Sequence, residues 1–290
     1  MTTRDPRNMA LQIAGLRANE THLPENERVF EDPYAECFFP EDVRLLFRDT
    51  ALVKAERAKY ESIMPGVNGA IVARIRYIDE CLEGLLDEGL QQLVVIGAGY
   101  DTRAYRIPGV RETINVFEVD HPLTQATKIE TIREIFGELP DHVVFVPVVF
   151  GADRLDRKLL DHGYASDRKT LFIIEGLLMY IPETAVAAPL SFVAKASAPG
   201  SAFVADYFET SVVAGTSPLP EARALKAFVE QEGSALQFGF AENGVEAYLR
   251  QRGFATVTTV NAVDCKASYF PITDSDRSVS SMFNFVMARV

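Results

Sequence analysis

Four groups of residues in this chain have types and spacings that could do chemistry. Gly97-Ala98-Gly99-Tyr100-Asp101 ends one short apolar run, Glu118-Val119-Asp120 ends a second, Gly151-Ala152-Asp153 follows a third, and Glu175 ends a fourth. Glycines let a backbone approach a ligand with no Cβ in the way. An acid roughly 20 residues further on is spaced to accept hydrogen bonds from both hydroxyls of a ribose. The two features describe an adenosine-containing cofactor, while a tight structural turn is the competing reading of the glycines alone. A pyrophosphate binder wants a third glycine opening into a helix N-terminus. Asp101-Thr102 stands there instead, and a carboxylate beside a pyrophosphate is repulsive. The same carboxylate suits a cationic amino acid tail. S-Adenosylmethionine carries an ammonium, a carboxylate and a sulfonium, so Asp101 or Glu175 would take the ammonium and Arg74 the carboxylate.

The elements that must position these residues change character along the chain. The first ninety residues read as helices and loops. Gly69 to Gly89 is the clearest amphipathic helix, with Ile71, Ile75, Ile78, Leu82, Leu85 and Leu86 on one face at about 100° per residue. Arg76, Glu80 and Glu83 fall opposite, but Arg74 lands inside the apolar arc between Cys81 and Leu85. Either it finds an anionic partner in the core, or it snorkels past the stripe to solvent. From Leu90 the pattern becomes strand, turn, helix. Strands are expected at Gln92–Ile96, Asn115–Val119, Val143–Val148, Leu171–Ile174 and Ala202–Ala205, the last running into Asp206. Helices are expected at Pro122–Phe136 and Glu183–Ala196. Helix Glu242–Arg252 then precedes strands near Ala255–Val260 and Met282–Ala288, joined by a link with no helix pattern at Asn261–Ser281. Alternation of this kind specifies a doubly wound sheet. The final pair favours one antiparallel strand in a mostly parallel seven-stranded sheet, the outline of the class I methyltransferase fold, which is Rossmann-like.

Composition narrows the class. The 290 residues are 48% hydrophobic and 10% aromatic, enough for a real core, and 29 basic against 41 acidic residues leave a formal charge of −12. An acidic chain is a poor generic nucleic-acid binder. Cys37, Cys81 and Cys265 are isolated and odd in number, which predicts reduced thiols, a cytoplasmic setting and no metal cluster. No apolar segment stands behind the N-terminal charges, and the apolar stretches are interrupted by Glu175, Lys195 and prolines, so neither a signal peptide nor a membrane span is expected.

Four ordered motifs carry a resemblance. Leu93-Val94-Val95-Ile96-Gly97-Ala98-Gly99-Tyr100-Asp101-Thr102-Arg103 resembles the first motif of the leucine carboxyl methyltransferase family. Phe117-Glu118-Val119-Asp120-His121-Pro122 is similar to its second, and Glu175-Gly176-Leu177-Leu178-Met179-Tyr180 to its fourth-strand signature. Ala73-Arg74 resembles its upstream arginine. The family includes enzymes that methylate a phosphatase C-terminal carboxylate, and bacterial enzymes of the tetracenomycin type that methylate polyketides and other small molecules. The resemblance implies that S-adenosylmethionine is the cofactor and S-adenosylhomocysteine the product. It implies that Arg74 binds the methionine carboxylate and that Gly97, with Ala98 and Gly99, lines methionine and ribose. Asp120 would hold the ribose hydroxyls, with Glu118 competing, and Glu175 would face the amino acid end. The family's acid near adenine is replaced by Val149-Phe150, which leaves Asp153 or stacking on Phe150. The family's N-terminal cofactor contact has no clear counterpart; Arg17 and Arg28 are the candidates.

The expected organisation is one methyltransferase domain over 1–290. It comprises a helical cover at 1–88, a cofactor-binding core at 89–206, a lid insertion at 207–241 and the C-terminal part of the core sheet at 242–290. Within the lid, Phe228, Phe238 and Phe240 would suit an apolar acceptor, or would be ordinary core. Phe30–Phe39, with Asp32-Pro33-Tyr34 inside it, would form the facing wall. A carboxylate acceptor needs no general base, whereas a hydroxyl does. Of the four histidines, His121 lies in the cofactor motif, and His22, His142 and His162 lie at loops or element ends. The scarcity fits carboxyl methylation, with His22 or Tyr180 available to a hydroxyl, and Tyr180 expected to orient substrate. The expectation is an O-methyltransferase acting on a carboxyl or hydroxyl of a small, polyketide-like or other apolar acceptor. The alternatives are a protein C-terminal carboxyl methyltransferase, an NAD-dependent oxidoreductase and a non-catalytic binding domain. Oligomeric state is not legible.

Overall fold

A computed structural model describes residues 7–271 and 276–290. The N-terminal part holds α1 (Arg7–Thr21), a 3₁₀ turn (Ala35–Phe38), α2 (Glu41–Phe47), α3 (Thr50–Ile63) and α4 (Val67–Asp87). Then come β1 (Gln92–Ile96), two short helices α5 (Arg103–Arg106) and α6 (Val110–Thr113), β2 (Asn115–Asp120), α7 (Pro122–Phe136), β3 (Val143–Pro147), α8 (Leu155–Asp161) and β4 (Thr170–Ile174). A second 3₁₀ turn (Leu178–Tyr180) leads to α9 (Glu183–Ala196), β5 (Ala202–Tyr207), α10 (Thr210–Ala214) and α11 (Pro220–Gln231). The chain closes with α12 (Val245–Arg250), β6 (Thr256–Asn261), α13 (Ala262–Tyr269) and β7 (Asn284–Arg289).

The seven strands form one sheet in the order β3-β2-β1-β4-β5-β7-β6. Every pairing from β3 to β5 is parallel, and β7 runs antiparallel between β5 and β6. β1 and β4 are buried along their whole length, as parallel strands covered on both faces must be. Alternate residues feed two cores. Val94, Ile96, Phe117, Val119, Phe172 and Ile174 face α8, α9 and α12, while Leu93, Val95, Val116, Leu171 and Ile173 face the later turns of α4 through Ile78, Leu82 and Leu85. A third cluster, around Met64, Val67, Phe208, Val212 and Phe283, joins the start of α4 to α10, α11 and α13.

Two expectations need correction. The link Asn261–Ser281 is not helix-free, because it contains α13. Asn261 caps that helix by accepting from Val263 N at 3.0 Å, and Ala262 and Cys265 are buried in the cluster that includes the start of α4. Two buried residues in eight give too weak a periodicity to read. Helix Glu242–Arg252 is shorter than expected: it starts only at Val245, because Asn243 takes a φ of 55° just ahead of the first turn, and it ends at Arg250.

Candidate functional site

The C-terminal ends of β1, β2, β4 and β5 meet at one place, where side chains and ligands converge in sheets of this kind. Gly97 and Ala98 donate their amides to Val119 O at 2.8 and 3.0 Å, which ties the glycine turn to β2. Gly97 has a φ of +76°, and a Cβ there would lie 2.9 Å from Leu177 Cδ2, so only glycine fits. Asp120 sits at the turn's edge. Its Oδ2 accepts from Gly99 N and its Oδ1 from His121 N. Burial raises its pKa, against the pull of those two backbone donors.

Beside the turn lies a buried cluster of opposite charges. Arg74 donates from Nε to Glu175 Oε1 at 2.9 Å and from Nη1 to Asp206 Oδ2 at 3.0 Å. It has therefore taken the first of its two sequence readings, a partnered guanidinium in the core. Gly176, at a φ of +61°, donates to Asp206 Oδ1 at 2.6 Å, and its Cα stands where a Cβ would press on the Arg74 guanidinium at 3.4 Å. Arg103 reaches Asp79 Oδ1 and Glu175 Oε2, both at 2.6 Å, and closes on Asp101 as well. Arg106 joins Asp79 at 2.8 Å. Burial is the largest influence on Asp101 and Glu175 and opposes their ionisation, but Arg103 together with Lys128 and Arg17 at Asp101, and with Arg74 at Glu175, outweighs it, so both carboxyls are held below their usual range. At Asp206 burial wins over Arg74 and the Gly176 amide, and its pKa is raised.

The N-terminal cover is pinned onto the same turn. Asp32 accepts from Arg17 Nε at 2.7 Å and from Thr102 Oγ1 at 2.6 Å. Phe38 stacks on Tyr100 with centroids 4.4 Å apart, and Ala10 lies where a Cβ on Gly99 would come within 3.3 Å. The 30–39 segment thus stands against the glycine turn. Arg17 also donates to Tyr100 O, which makes it a tie between cover and turn. Arg28 pairs with Glu31 on the surface.

The other expected site residues have these surroundings. Glu118 is buried with its carboxylate 2.7 Å from Lys128 Nζ, one residue pair back from the strand end and on the opposite side of the strand from Phe117 and Val119. It does not compete with Asp120 for a ligand at the edge. His22 pairs with Glu36 at 2.6 Å, an ion partner within the N-terminal cover. Ala98 buries its methyl in the core, leaving only its backbone for a ligand. Phe150 packs partly buried against the sheet. Asp153 Oδ2 accepts from Val149 N at 2.9 Å, closing the loop after β3. Tyr180 packs partly buried beside Met179 and Phe30, and its carbonyl accepts from Gln237 Nε2 at 2.7 Å. Phe238 and Phe240 are core residues packed edge-on with each other, Tyr207 and Tyr248, and only Phe228 of the three packs toward the third cluster.

The charged cluster contains residues that sequence reading passed over. Arg103 was visible at the end of the first motif. Asp79 could have been found on the same helical wheel that singled out Arg74, since it falls beside Leu86 at the other margin of the apolar arc. Asp206 had no local signal, because its partner is 132 positions away.

Comparison with known proteins agrees with this geometry. Residues 10–194 match the sequence profile described as leucine carboxyl methyltransferase. A protein of Mycolicibacterium gilvum (strain PYR-GCK) named "Putative S-adenosyl-L-methionine-dependent methyltransferase" is 30% identical over 266 residues, covering 87% of this chain and 83% of that one. Bacillus subtilis (strain 168) YktD, named in the same way, is 26% identical over 217 residues, covering 75% and 71%. The crystal structure of a "putative methyltransferase" from Thermobifida fusca YX superposes with a TM-score of 0.58 at 16% identity, over 88% of this chain and 92% of that one. It shares the fold.

Proposed function

The chain belongs to the leucine carboxyl methyltransferase family of S-adenosylmethionine-dependent methyltransferases, and from that premise we propose that it methylates an oxygen of a small, apolar acceptor, a carboxylate before a hydroxyl. The residues present fit the cofactor. Arg17, Arg74, Arg103 and Arg106 are linked through ion pairs to Asp32, Asp79, Asp101, Glu175 and Asp206. With all of them ionised the cluster holds one negative charge in excess. S-Adenosylmethionine, with an ammonium, a sulfonium and a carboxylate, brings one net positive charge.

Asp120 would accept from the ribose hydroxyls in exchange for the Gly99 amide. Glu175 and Asp101 would accept from the ammonium, each carboxylate having lone pairs beyond those its arginines use. Arg74 makes no hydrogen bond from Nη2 among the described residues, which leaves that edge of the fork for the cofactor's carboxylate. Bound there, the cofactor supplies a methyl group already activated by its sulfonium, so the chain's task is to orient the acceptor and exclude water.

The observation that carries the carboxylate reading is the placement of the histidines. His22 is paired with Glu36, His142 with Ala104 O and His162 with Lys158 O, while His121 caps α7 through Leu123 N. None of these stands beside Tyr180 or the third apolar cluster as a free base, and an acceptor that arrives ionised needs none. The apolar surroundings of Tyr180, with Phe30, Met179 and Phe228, support a small hydrophobic acceptor over a peptide.

The test is transfer from methyl-labelled S-adenosylmethionine to a panel of aromatic and aliphatic carboxylic acids and phenols. Label that alkali releases as methanol identifies an ester and supports the reading. Alkali-stable label on a phenol would replace it with hydroxyl methylation. Label carried only by a protein C-terminus would replace the small-molecule acceptor.

A further inference from the structure

Helix α3 is built inside out. It has 14 residues, of which only Val53 is buried, and a helix of that length is marginal in water without a packed face. Its charged side looks inward. Lys54, Arg57 and Glu61 fall within about 60° of one another at 100° per residue, and they line the cleft against Asn68 and Arg277. Lys54 is paired with Glu27 at 2.8 Å, and Glu61 accepts from Gly66 N at the start of α4. The outward side carries the large apolar residues, with Glu56 and Lys59 among them. Leu52, Ile63 and Tyr60 share an arc of about 80° and are 37%, 57% and 50% exposed, with Ala55 exposed on the same side. The neighbouring α2 adds Leu45 and Leu46, also exposed.

We propose that this face is an isologous interface between two copies of the chain, with α3 packed antiparallel against α3 of the second copy. The argument is complementarity under a two-fold axis. Antiparallel helices crossing at their midpoints bring together residues whose numbers have a constant sum. With the axis between Arg57 and Ala58, Leu52 meets Ile63, Ala55 meets Tyr60, and Glu56 meets Lys59. Large apolar groups meet each other, a small one faces the tyrosine ring, and Glu56 and Lys59, which fall within the same arc at 100° per residue, meet as opposite charges in both directions. Glu56 and Lys59 already approach to 3.7 Å within one copy, so the pair has only to exchange partners. The charge balance agrees. From Glu41 to Ile63 the acids Glu41, Asp42, Asp49, Glu56 and Glu61 are matched by Arg44, Arg48, Lys54, Arg57 and Lys59, in a chain whose total is −12. Two acidic molecules would meet where neither carries net charge.

Sedimentation equilibrium of the full chain tests this. A reversible dimer of about twice the 32.1 kDa chain mass is expected. Leu52→Glu and Ile63→Glu, both at exposed positions, should each weaken it at least tenfold with far-UV circular dichroism unchanged. Glu56→Lys should weaken it by setting like charges opposite each other, and Glu56→Lys combined with Lys59→Glu should restore it. A chain that stays monomeric at high micromolar concentration overturns the proposal. So does a dimer indifferent to all of these changes, or a monomer that uses Leu52 and Ile63 to bind phosphatidylcholine vesicles.

Discussion

At the scale of the residue, Asp120 and Arg74 illustrate how two charges that would touch one cofactor differ in what else they do. Asp120 stands at the edge of the glycine turn with only backbone partners. Asp120→Ala should weaken S-adenosylmethionine binding by about tenfold or more, since a charge-assisted contact is lost, and leave the thermal midpoint nearly unchanged. Calorimetric titration beside a melting curve checks both. Arg74 is the counter-ion of two buried carboxylates. Arg74→Ala leaves Asp206 without its counter-ion and Glu175 with Arg103 alone, and removing one partner of a buried pair costs about 3–5 kcal/mol. Lost binding should therefore come with a fall in the melting midpoint, and an Arg74→Ala protein as stable as the parent would contradict the cluster described above. The titration of Asp120 supplies a second prediction. Its pKa is raised above the ordinary 3.8, and a neutral acid cannot serve two ribose hydroxyls as acceptor. Cofactor affinity should fall as pH is lowered, beginning above that ordinary value, and the fall should be shallower in Asp120→Asn. Stability has its own signs. Asp101 and Glu175, held low, stabilise the fold above the ordinary carboxyl range and lose that contribution as pH falls through their lowered pKa values. Asp206, held high, contributes only while protonated, and that contribution is lost as pH rises through its raised pKa.

At the scale of the element, the insertion between β5 and α12 separates packing from chemistry. Gln237 and Phe238 donate their amides to Met179 O, so the segment is clipped to the turn after β4. Phe240 is 2% exposed, edge-on to Tyr207 at 5.1 Å and to Tyr248 at 5.0 Å. Phe240→Ala should therefore cost about 3–5 kcal/mol, the usual result of emptying a buried aromatic site, while the acceptor KM of the folded protein stays put. A changed acceptor preference without a change in melting would return Phe240 to the acceptor pocket. The same elements show what a sequence can reveal. Pro122–Phe136 and Glu183–Ala196 were legible to the residue, because a proline at or just before the first turn marks the start of each, and in the second an apolar period through Val186, Leu190 and Val193 carries on. The glycine turn and Asp120 were legible because their spacing is fixed by one strand–turn–helix unit. α13 was not, with two buried residues in one short helix. Nor was the split among the phenylalanines: Phe228, Phe238 and Phe240 look alike in the chain, and only the sheet's two faces decide which core receives each. Arg103 and Asp206 were opaque for a related reason, since a charge's partner across the sheet leaves no local trace.

At the scale of the whole molecule, one line of ion pairs runs from the cover to the far side of the site. Arg17 on α1 holds Asp32, Asp32 lies 3.9 Å from Arg106, and Arg106 holds Asp79. Asp79 holds Arg103, and Glu175 bridges Arg103 to Arg74, which ends on Asp206. The cover therefore shares carboxylates and arginines with the groups that would hold the cofactor's amino acid end. Adding one positive charge to a buried cluster with one negative in excess strengthens the balance along its whole length, because screening by water is weak there. The consequence is a coupling between cofactor and cover. Saturating S-adenosylmethionine should slow amide hydrogen exchange in α1 and in the 30–39 segment, as well as in the glycine turn, and NAD should do neither. Phe38→Ala removes the stacking on Tyr100 without touching a charge, so it should raise exchange in α1 of the free protein and weaken cofactor binding several-fold through the cover. If cofactor slows exchange only around Gly97–Asp101 and leaves α1 as it was, the ion-pair line is a structural brace, and the cover opens and closes independently of what the turn holds.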